Sequence, residues 1–337
     1  MIAARGFATE YGEHLLAQRA ASLGRWVAVV HPEPWALLEA DRAVMPAAVI
    51  AAGDLTRRHL DGVVATLPAA DHIVGIGGGS AMDTAKWLHW RTGTPLVQVP
   101  SLPSVDACFT RMTALRGQGG VHYEGDSVPE VVLVDHWLIG RAPQALVSGG
   151  IGDVLSCHTA RFDWQLAVAA GRDHPWDEEA AAASLAYVDE LEALAPLLAT
   201  GEPEGIRRLM ECHRDIGWRC HELGHARFEE GSEHFFAYAF ESLTGRTIMH
   251  GELVTLGVLA MSSLQGNDPT RPRRIAAEAG ARTALHELGI TWDEVERTLR
   301  SLPRFVEEQR LWYSVANDLA IGEAELRTVR ATLDGSR

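Results

Sequence analysis

Apolar residues in the first 140 positions fall into short runs separated by segments with helical spacing. Runs rich in valine, isoleucine and leucine predict buried strands over 26–30, 47–51, 73–76, 96–99 and 131–134. The segments between them predict helices over 36–40, 55–67 and 82–89. This alternation of strands and helices is typical of a parallel sheet wrapped by helices.

The pattern changes after Pro143, where strand-like runs stop and stretches rich in alanine, leucine and glutamate begin. These stretches predict helices over 178–200, 205–221, 232–243, 252–264 and 273–288. Glycine and polar residues over 113–129 predict a hairpin or an excursion of the chain, near the candidate site described below. We therefore predict an α/β N-terminal Rossmann-like domain with a parallel sheet over 1–145 and an all-α C-terminal domain over 146–337.

Composition narrows the class of protein further. A length of 337 residues is sufficient for two domains, and a net charge of −15 argues against nucleic-acid binding. The first thirty residues lack the pattern of a secretion signal, and no window of sequence resembles a membrane span. Four scattered cysteines suit a reducing compartment. We expect a cytoplasmic protein that binds neither nucleic acid nor membrane.

The segment IVGIGGGSAMDTAK (73–86) joins a predicted strand to a predicted helix through three glycines. Glycines at such a turn let backbone N–H groups approach an anion, and the helix N-terminus favours negative charge there. We interpret it as a phosphate cradle, most simply for a dinucleotide pyrophosphate. The alternative is a plain tight turn, because Ser80 replaces the third glycine of the usual fingerprint and the turn does not follow the first strand.

Lys86 is the only lysine of the chain. All the other residues that carry a permanent positive charge on the side chain are arginines. It lies one helical turn beyond Asp83. A compact ammonium is a point-charge donor that a planar guanidinium does not replace at a crowded site. We predict that Lys86 belongs to the nucleotide site; the alternative is a surface lysine.

Three predicted helix starts in the C-terminal half carry metal-ligating residue types: Asp153, His234 and His250. Each alone has a structural explanation, as a helix N-cap or as a buried, hydrogen-bonded histidine. Together they offer one carboxylate and two imidazoles. This set suits a Zn²⁺ ion that keeps one coordination position open for substrate.

The run His221-Glu222-Leu223-Gly224-His225 matches H-E-x-x-H, the zinc-binding helix of metalloproteases. Phe228 stands where the extended form of that motif needs glycine, and a protease would have no use for the nucleotide loop. A structural zinc site at Cys212, His213 and Cys220 would lack the usual close cysteine pairs. Both stay open as weaker alternatives.

Five segments in order make the chain resemble the glycerol dehydrogenase and glycerol-1-phosphate dehydrogenase group of the iron-containing alcohol dehydrogenase (dehydroquinate synthase-like) superfamily. They are GGGSAMDTAK (77–86), VPSLPSVDA (99–107), GGIGDVLSCHTARFDWQLA (149–167), GSEHFFAYAFE (231–241) and HGELVTLG (250–257). The resemblance extends over about 25–260. The DWQLA element is similar to the glycerol-1-phosphate branch.

The resemblance implies a metal-dependent, NAD(P)(H)-linked oxidoreductase that interconverts a secondary alcohol of a polyol or polyol phosphate and its ketone. Residues 1–145 would bind NAD or NADP, and 146–337 would bind the substrate and Zn²⁺, with Fe²⁺ or Ni²⁺ as alternatives. A small polyol, phosphorylated or otherwise anionic, is the expected partner, and relatives of this kind are homo-oligomers. The nearest rival activity is a sugar-phosphate cyclase of the dehydroquinate synthase type.

The resemblance also implies roles residue by residue. Asp106 would face the substrate hydroxyls as a catalytic and substrate residue, and Lys86 would act at the nicotinamide end. The metal ligands would be Asp153, His234 and His250. The cofactor-binding residues would be Gly77, Gly78, Gly79, Ser80, Asp83, Lys86 and Ser101.

Several positions depart from the pattern of this group. Cys108, Phe109 and Arg111 replace small residues after Asp106, and Arg111 would pair either with an anionic group of the substrate or with an acidic neighbour at the surface. Tyr238 replaces a histidine that is common one turn after the metal-binding one. The first predicted strand ends at 31–33 without the usual aspartate for the ribose, which leaves NAD and NADP both open.

Overall fold

The structure is a computed structural model that describes residues 6–39, 45–103, 106–117 and 120–335. The chain divides into two compact units. The first unit is Met1–Pro143 with Ile206–Glu222, and the second is Gln144–Gly205 with Leu223–Arg337. The predicted domains 1–145 and 146–337 stay a prediction.

The first unit is built on a parallel sheet with strand order β1-β8-β5-β4-β2-β3, beside a separate β6–β7 hairpin. The strands are β1 Thr9–Gly12, β2 Trp26–Val30, β3 Ala48–Ala51, β4 His72–Gly77, β5 Leu96–Pro100, β6 Thr113–Gly117, β7 Gly120–Glu124 and β8 Val131–Asp135. The five predicted strands and the hairpin are confirmed. Strand β1 was not predicted, because its sequence TEYG has no apolar run.

Helices cover both faces of this sheet, as buried parallel strands require. The helices of the first 143 residues are α1 Leu15–Arg19, α2 Pro32–Glu39, α3 Arg57–Thr66, α4 Gly79–Thr92 and α5 His136–Ile139. Alternate strand residues face opposite layers: Val74 packs with α1 and α2, whereas Ile73 packs with α3 and α4. The predicted helices of this region are confirmed, although residue 40 lies outside the described residues.

The sheet has a topological switch point between its neighbouring strands β2 and β4. From β2 the chain crosses through α2 on one face to β3, and from β4 it crosses through α4 on the other face to β5. A crevice opens at the carboxyl ends of two such strands, and ligands of open α/β sheets bind there. The glycine turn after β4 lies at this position.

The described residues of the second unit form helices joined by turns and loops, with no strand among them. The helices of the remaining chain are α6 Gln144–Ser148, α7 Gly152–Leu155, α8 Cys157–Ala169, α9 Glu178–Ala199, α10 Pro203–Leu223, α11 Ser232–Thr244, α12 His250–Gln265, α13 Thr270–Glu278, α14 Trp292–Glu308, α15 Val315–Asp318 and α16 Glu323–Leu333. Residues 206–222 of α10 belong to the first unit. The α/β part followed by a helical part confirms the predicted fold class.

One predicted helix was too long. The prediction over 273–288 is confirmed only to Glu278, where α13 ends. Gly280 adopts φ +72°, a left-handed conformation that favours glycine and ends helices. The alanine and leucine residues after it form turns, because helical propensity alone does not carry a helix through such a position.

None of the helices in the described part of the chain combines the length and the apolar character that crossing a membrane requires.

Candidate functional site

The glycine turn joins β4 to α4 with backbone geometry suited to an anion. Gly77 has φ +148°, and a Cβ added there would lie 2.8 Å from the His31 ring. Gly78 is extended at φ −90° and ψ −165°, so the first amides of α4 follow directly. These amides have no acceptor within the helix. Gly79 and Ser80 therefore present N–H groups at the switch point of the sheet.

Ser101 lies beside this turn, at the carboxyl end of β5. Its N–H donates to the Gly77 carbonyl over 2.8 Å, and the residue is buried. The structure thus brings together the predicted pyrophosphate residues Gly77, Gly78, Gly79 and Ser80 with Ser101. Their binding of a cofactor stays a prediction.

Lys86 is buried in the first unit, with a side chain 1% exposed. Its Nζ lies 2.9 Å from Asp83 Oδ1 and donates to Thr110 Oγ1 at 2.9 Å and to the Met112 carbonyl at 2.6 Å. These three contacts use the three protons of the ammonium. The alternative of a surface lysine is therefore wrong, while its predicted role at the nicotinamide stays a prediction.

The same contacts hold the chain that follows Asp106 onto helix α4. Asp83 Oδ1 also accepts the Ala114 N–H at 3.2 Å, at the start of β6. The Ser127 hydroxyl donates to the Lys86 carbonyl at 2.8 Å, at the far end of the hairpin. The Asp83–Lys86 pair thus fixes the start of the β6–β7 hairpin against α4, and the Lys86 backbone carbonyl holds the segment that follows the hairpin.

Asp106 begins a 3₁₀ turn, Asp106–Phe109, and is half-buried. Phe109 points into the interior, where it is 0% exposed and its ring centroid lies 6.0 Å from that of Phe7. The phenyl ring is thus part of the core of the first unit.

Arg111 forms an ion pair with Asp126, and its Nη1 lies 2.9 Å from His221 Nε2. The hydrogen bond from Arg111 holds the pKa of Asp126 below its usual value. Of the two partners predicted for Arg111, the structure shows the acidic neighbour at the surface. Substrate binding by Arg111 stays a prediction.

Asp153, His234 and His250 converge in the second unit. One ligand atom from each lies within 4.8 Å of the others. Asp153 Oδ1 is 3.7 Å from His234 Nε2 and 3.5 Å from His250 Nε2. Asp153 and His234 are buried, whereas the side chain of His250 is 25% exposed, so the group is open on one side.

Each of these three residues stands in the first turn of its own helix: Asp153 in α7, His234 in α11 and His250 in α12. Glycines let these helices touch through their backbones. A Cβ added at Gly152 would lie 2.5 Å from Gly251 Cα, and one added at Gly257 would lie 2.5 Å from the Glu233 carbonyl oxygen. Helix α12 therefore approaches α7 and α11 as closely as glycine allows.

Glu233 orients His234 and was not among the residues predicted from sequence. Its carboxylate lies 3.0 Å from His234 Nδ1 and accepts the Gly231 N–H at 2.6 Å and the Thr159 hydroxyl at 2.8 Å. A carboxylate on one ring nitrogen fixes the tautomer, so that the other nitrogen faces the metal. The only sequence signal was an acidic residue directly before the predicted ligand.

The charges around His234 favour a cation in this buried place. Burial lowers the pKa of His234, but hydrogen bonds to Asp153 and Glu233 outweigh it and raise that pKa well above its usual value. Zinc bonds of about 2.0–2.1 Å in a tetrahedron place ligand atoms roughly 3.3 Å apart. The two contacts to Asp153 are close to this spacing, so one carboxylate and two imidazoles fit a divalent ion.

Tyr238 lies beside the three ligands. Its ring is stacked on that of His250 with centroids 6.3 Å apart, and its hydroxyl donates to the half-buried Glu230 at 2.9 Å. Burial raises the pKa of Glu230. The phenol ring of Tyr238 thus packs beside the partly exposed imidazole of His250.

The H-E-x-x-H run is not a zinc-binding helix. Helix α10 ends at Leu223, and Gly224 adopts φ +74°, so the two histidines do not share one helical face. His221 contacts Arg111, whereas the His225 ring stacks on that of His174 with centroids 4.4 Å apart. The metalloprotease alternative is therefore wrong.

The chain is similar in sequence to known proteins. A family model described as iron-containing alcohol dehydrogenase matches residues 39–143. The chain is 31% identical to glycerol-1-phosphate dehydrogenase [NAD(P)+] of Aeropyrum pernix over 237 residues, which cover 70% of this chain and 67% of that one. It is 30% identical to the enzyme of the same name from Hyperthermus butylicus, over 77% of this chain and 74% of that one.

A solved structure shares the fold. A probable glycerol dehydrogenase from Sinorhizobium meliloti superposes with a TM-score of 0.71 at 22% identity, covering 98% of both chains.

The buried Asp83–Lys86 pair generates a stability prediction. Substitution Lys86→Met leaves the Asp83 carboxylate buried without its cation, so we expect the free energy of unfolding to fall by about 3 kcal/mol in urea titrations. Replacing both residues in Lys86→Met with Asp83→Leu should recover part of that loss, because the uncompensated charge is gone.

The matched control is Arg304→Met, which breaks an exposed pair with Glu308. It should change the free energy of unfolding by no more than about 0.5 kcal/mol. A Lys86→Met protein as stable as this control would show that the buried pair does not hold the hairpin.

Proposed function

Because the chain belongs to the glycerol-1-phosphate dehydrogenase family of the iron-containing alcohol dehydrogenase superfamily, we propose that it is a metal-dependent, NAD(P)-linked polyol phosphate dehydrogenase. Its reaction interconverts the secondary alcohol of a polyol phosphate and the corresponding ketone. Glycerol 1-phosphate and dihydroxyacetone phosphate are the substrate pair that the names of its relatives indicate.

The observation that carries the proposal is the convergence of Asp153, His234 and His250 from three helix starts. A divalent ion is the partner that suits one carboxylate and two imidazoles. Zinc is the ion we propose, with Fe²⁺ or Ni²⁺ as alternatives.

When bound, a divalent ion supplies Lewis acidity toward the substrate oxygen, and a nicotinamide dinucleotide exchanges the hydride. The residues of this chain do the positioning. Asp153 would contribute the single negative charge among the three proposed ligands, so one of the two positive charges of the ion would remain to act on the substrate. Glu233 holds His234 Nδ1, which leaves Nε2 as the nitrogen that would bind the ion.

The first unit contributes the proposed cofactor and substrate contacts. The amides of Gly79 and Ser80, at the N-terminus of α4, would hold the pyrophosphate. The carboxylate of Asp106 would accept hydrogen bonds from substrate hydroxyls. Lys86 acts on that residue indirectly, because it fixes Thr110 and Met112 just beyond it.

Location and assembly are further parts of the proposal. A reducing compartment suits the four free cysteines of the described residues, so we propose that the protein is cytoplasmic. We also propose a homo-oligomer, by analogy with the family. The proposed partner is a small anionic polyol, without nucleic acid or membrane.

The function is tested by activity and metal content together. Zinc-loaded protein should oxidise NADH or NADPH with dihydroxyacetone phosphate. The His250→Ala variant should lose zinc, measured by mass spectrometry, and its kcat/KM should fall by about a thousandfold, which corresponds to roughly 4 kcal/mol of lost stabilisation. The exposed His286→Ala variant should keep both zinc and activity.

An inactive wild-type protein that binds no dinucleotide would contradict the function. A cyclic product formed without net change in NADH would instead support the sugar-phosphate cyclase. An active His250→Ala enzyme would contradict the metal site while leaving the reaction in place.

A kinetic test shows whether Arg111 binds the phosphate group of the substrate. If the guanidinium exchanges Asp126 for substrate, Arg111→Ala should raise KM for dihydroxyacetone phosphate about tenfold or more and leave KM for dihydroxyacetone unchanged. Equal changes for both substrates, measured by steady-state kinetics, would assign Arg111 to the structural ion pair alone.

A further inference from the structure

The side chain of His31 lies against the glycine turn, and none of the sequence motifs gives this residue a role. It follows β2 directly, next to β4 in the sheet, so it stands on the other side of the switch point from the glycines. Its backbone is fixed there, because its N–H donates to the Ile76 carbonyl at 3.0 Å and its carbonyl accepts the Trp35 N–H at 3.2 Å.

The imidazole bonds to the two groups that would otherwise meet an anion. Its Nδ1 accepts the Gly78 N–H at 3.1 Å, and its Nε2 lies 2.7 Å from Ser80 Oγ. Since Nδ1 accepts, the proton of the neutral ring is on Nε2, which donates to the hydroxyl. The ring therefore acts as the acceptor for an amide of the proposed pyrophosphate site.

The turn is shaped around this ring. A Cβ at Gly77 would come within 2.8 Å of His31 Nδ1, and one at Gly78 would lie 3.6 Å from Cε1. The glycines thus admit the imidazole as well as a ligand. A phosphate oxygen that accepts the Gly78 N–H must take over the position of Nδ1, so ligand and ring meet at this atom.

We propose that His31 recognises the pyrophosphate of the dinucleotide: it releases Gly78 and Ser80 to the phosphate and donates from a protonated ring to a phosphate oxygen. This inference rests on the proposed function and deepens it. The step transfers no electrons, and the ring takes its added proton from water. Charge-assisted hydrogen bonds of this kind are about twice as strong as neutral ones.

The surroundings of the ring are consistent with this role. Burial lowers the pKa of His31 in the free protein, and Glu33 in α2 opposes that shift. The groups that the ring meets at the end of β4 and the start of α4 are uncharged: Gly77, Gly78 and Ser80. A bound phosphate would raise the pKa, so proton uptake accompanies binding, and affinity increases as pH falls through the pKa of the complex.

The test measures, by isothermal titration calorimetry, the affinity of the protein for ADP-ribose. This ligand carries the pyrophosphate without the nicotinamide. Wild-type affinity should increase about tenfold between about pH 8.5 and about pH 6. His31→Gln keeps an acceptor for Gly78 but never becomes a cation, so its affinity should match wild type at the higher pH and stay nearly constant. His31→Ala, as a second variant, should also lose the pH dependence.

The matched control is His59→Gln, at an exposed histidine in α3 of the same unit, which should retain the wild-type pH profile.

At about pH 6, His31→Gln should weaken the binding of NADH and of NADPH by the same factor. A loss confined to NADPH would assign the ring to the 2′-phosphate and overturn the inference. An unchanged pH profile in both variants would also overturn it, whereas wild-type protein that binds no dinucleotide would overturn the proposed function as well.

Discussion

Backbone contact between helices is the constraint on which the candidate metal centre depends. Helix α12 touches α7 at Gly152 and Gly251, and touches α11 where Gly257 meets the Glu233 carbonyl. Side chains at these positions would hold the helices apart, because interiors are packed without spare volume. The glycines therefore bring three helix N-termini together, and each N-terminus carries one of the candidate ligands.

This arrangement places charged groups where a helical core would otherwise be apolar. The macrodipoles of α11 and α12 direct positive potential toward their first turns, which favours carboxylates beside them. Asp153 and Glu233 lie there, both buried, and both contact His234. Two carboxylates around one imidazole leave an excess of negative charge that a divalent cation would offset.

In the first unit, the groups that would bind an anion are neutral. Its glycine turn presents amides rather than cationic side chains, while its single lysine is used internally by Asp83, Thr110 and Met112. Cofactor affinity in such a site comes from backbone N–H groups and from any side chain that reaches them. His31 is the side chain whose hydrogen bonds to that turn the structure shows.

Much of the fold was predictable because buried strands have a clear signal. Runs such as 26–30 are uniformly apolar and flanked by turns, whereas β1 is four residues long and mixed in character, so it gave no pattern. The candidate metal ligands Asp153, His234 and His250 were visible in the sequence as metal-ligating residue types at predicted helix starts. The direction of a side chain is not, which is why Lys86, Phe109 and Glu233 needed the structure.

The most direct measurement of the central claim is the zinc affinity of Gly152→Ala. Gly152 is helical at φ −54° and ψ −52°, so alanine adds no backbone strain and acts only through its contact with Gly251. The account predicts that zinc dissociates at least about tenfold more readily than from wild type, while Gly62→Ala, at an open position of α3, has no effect. Unchanged zinc affinity in Gly152→Ala would contradict it.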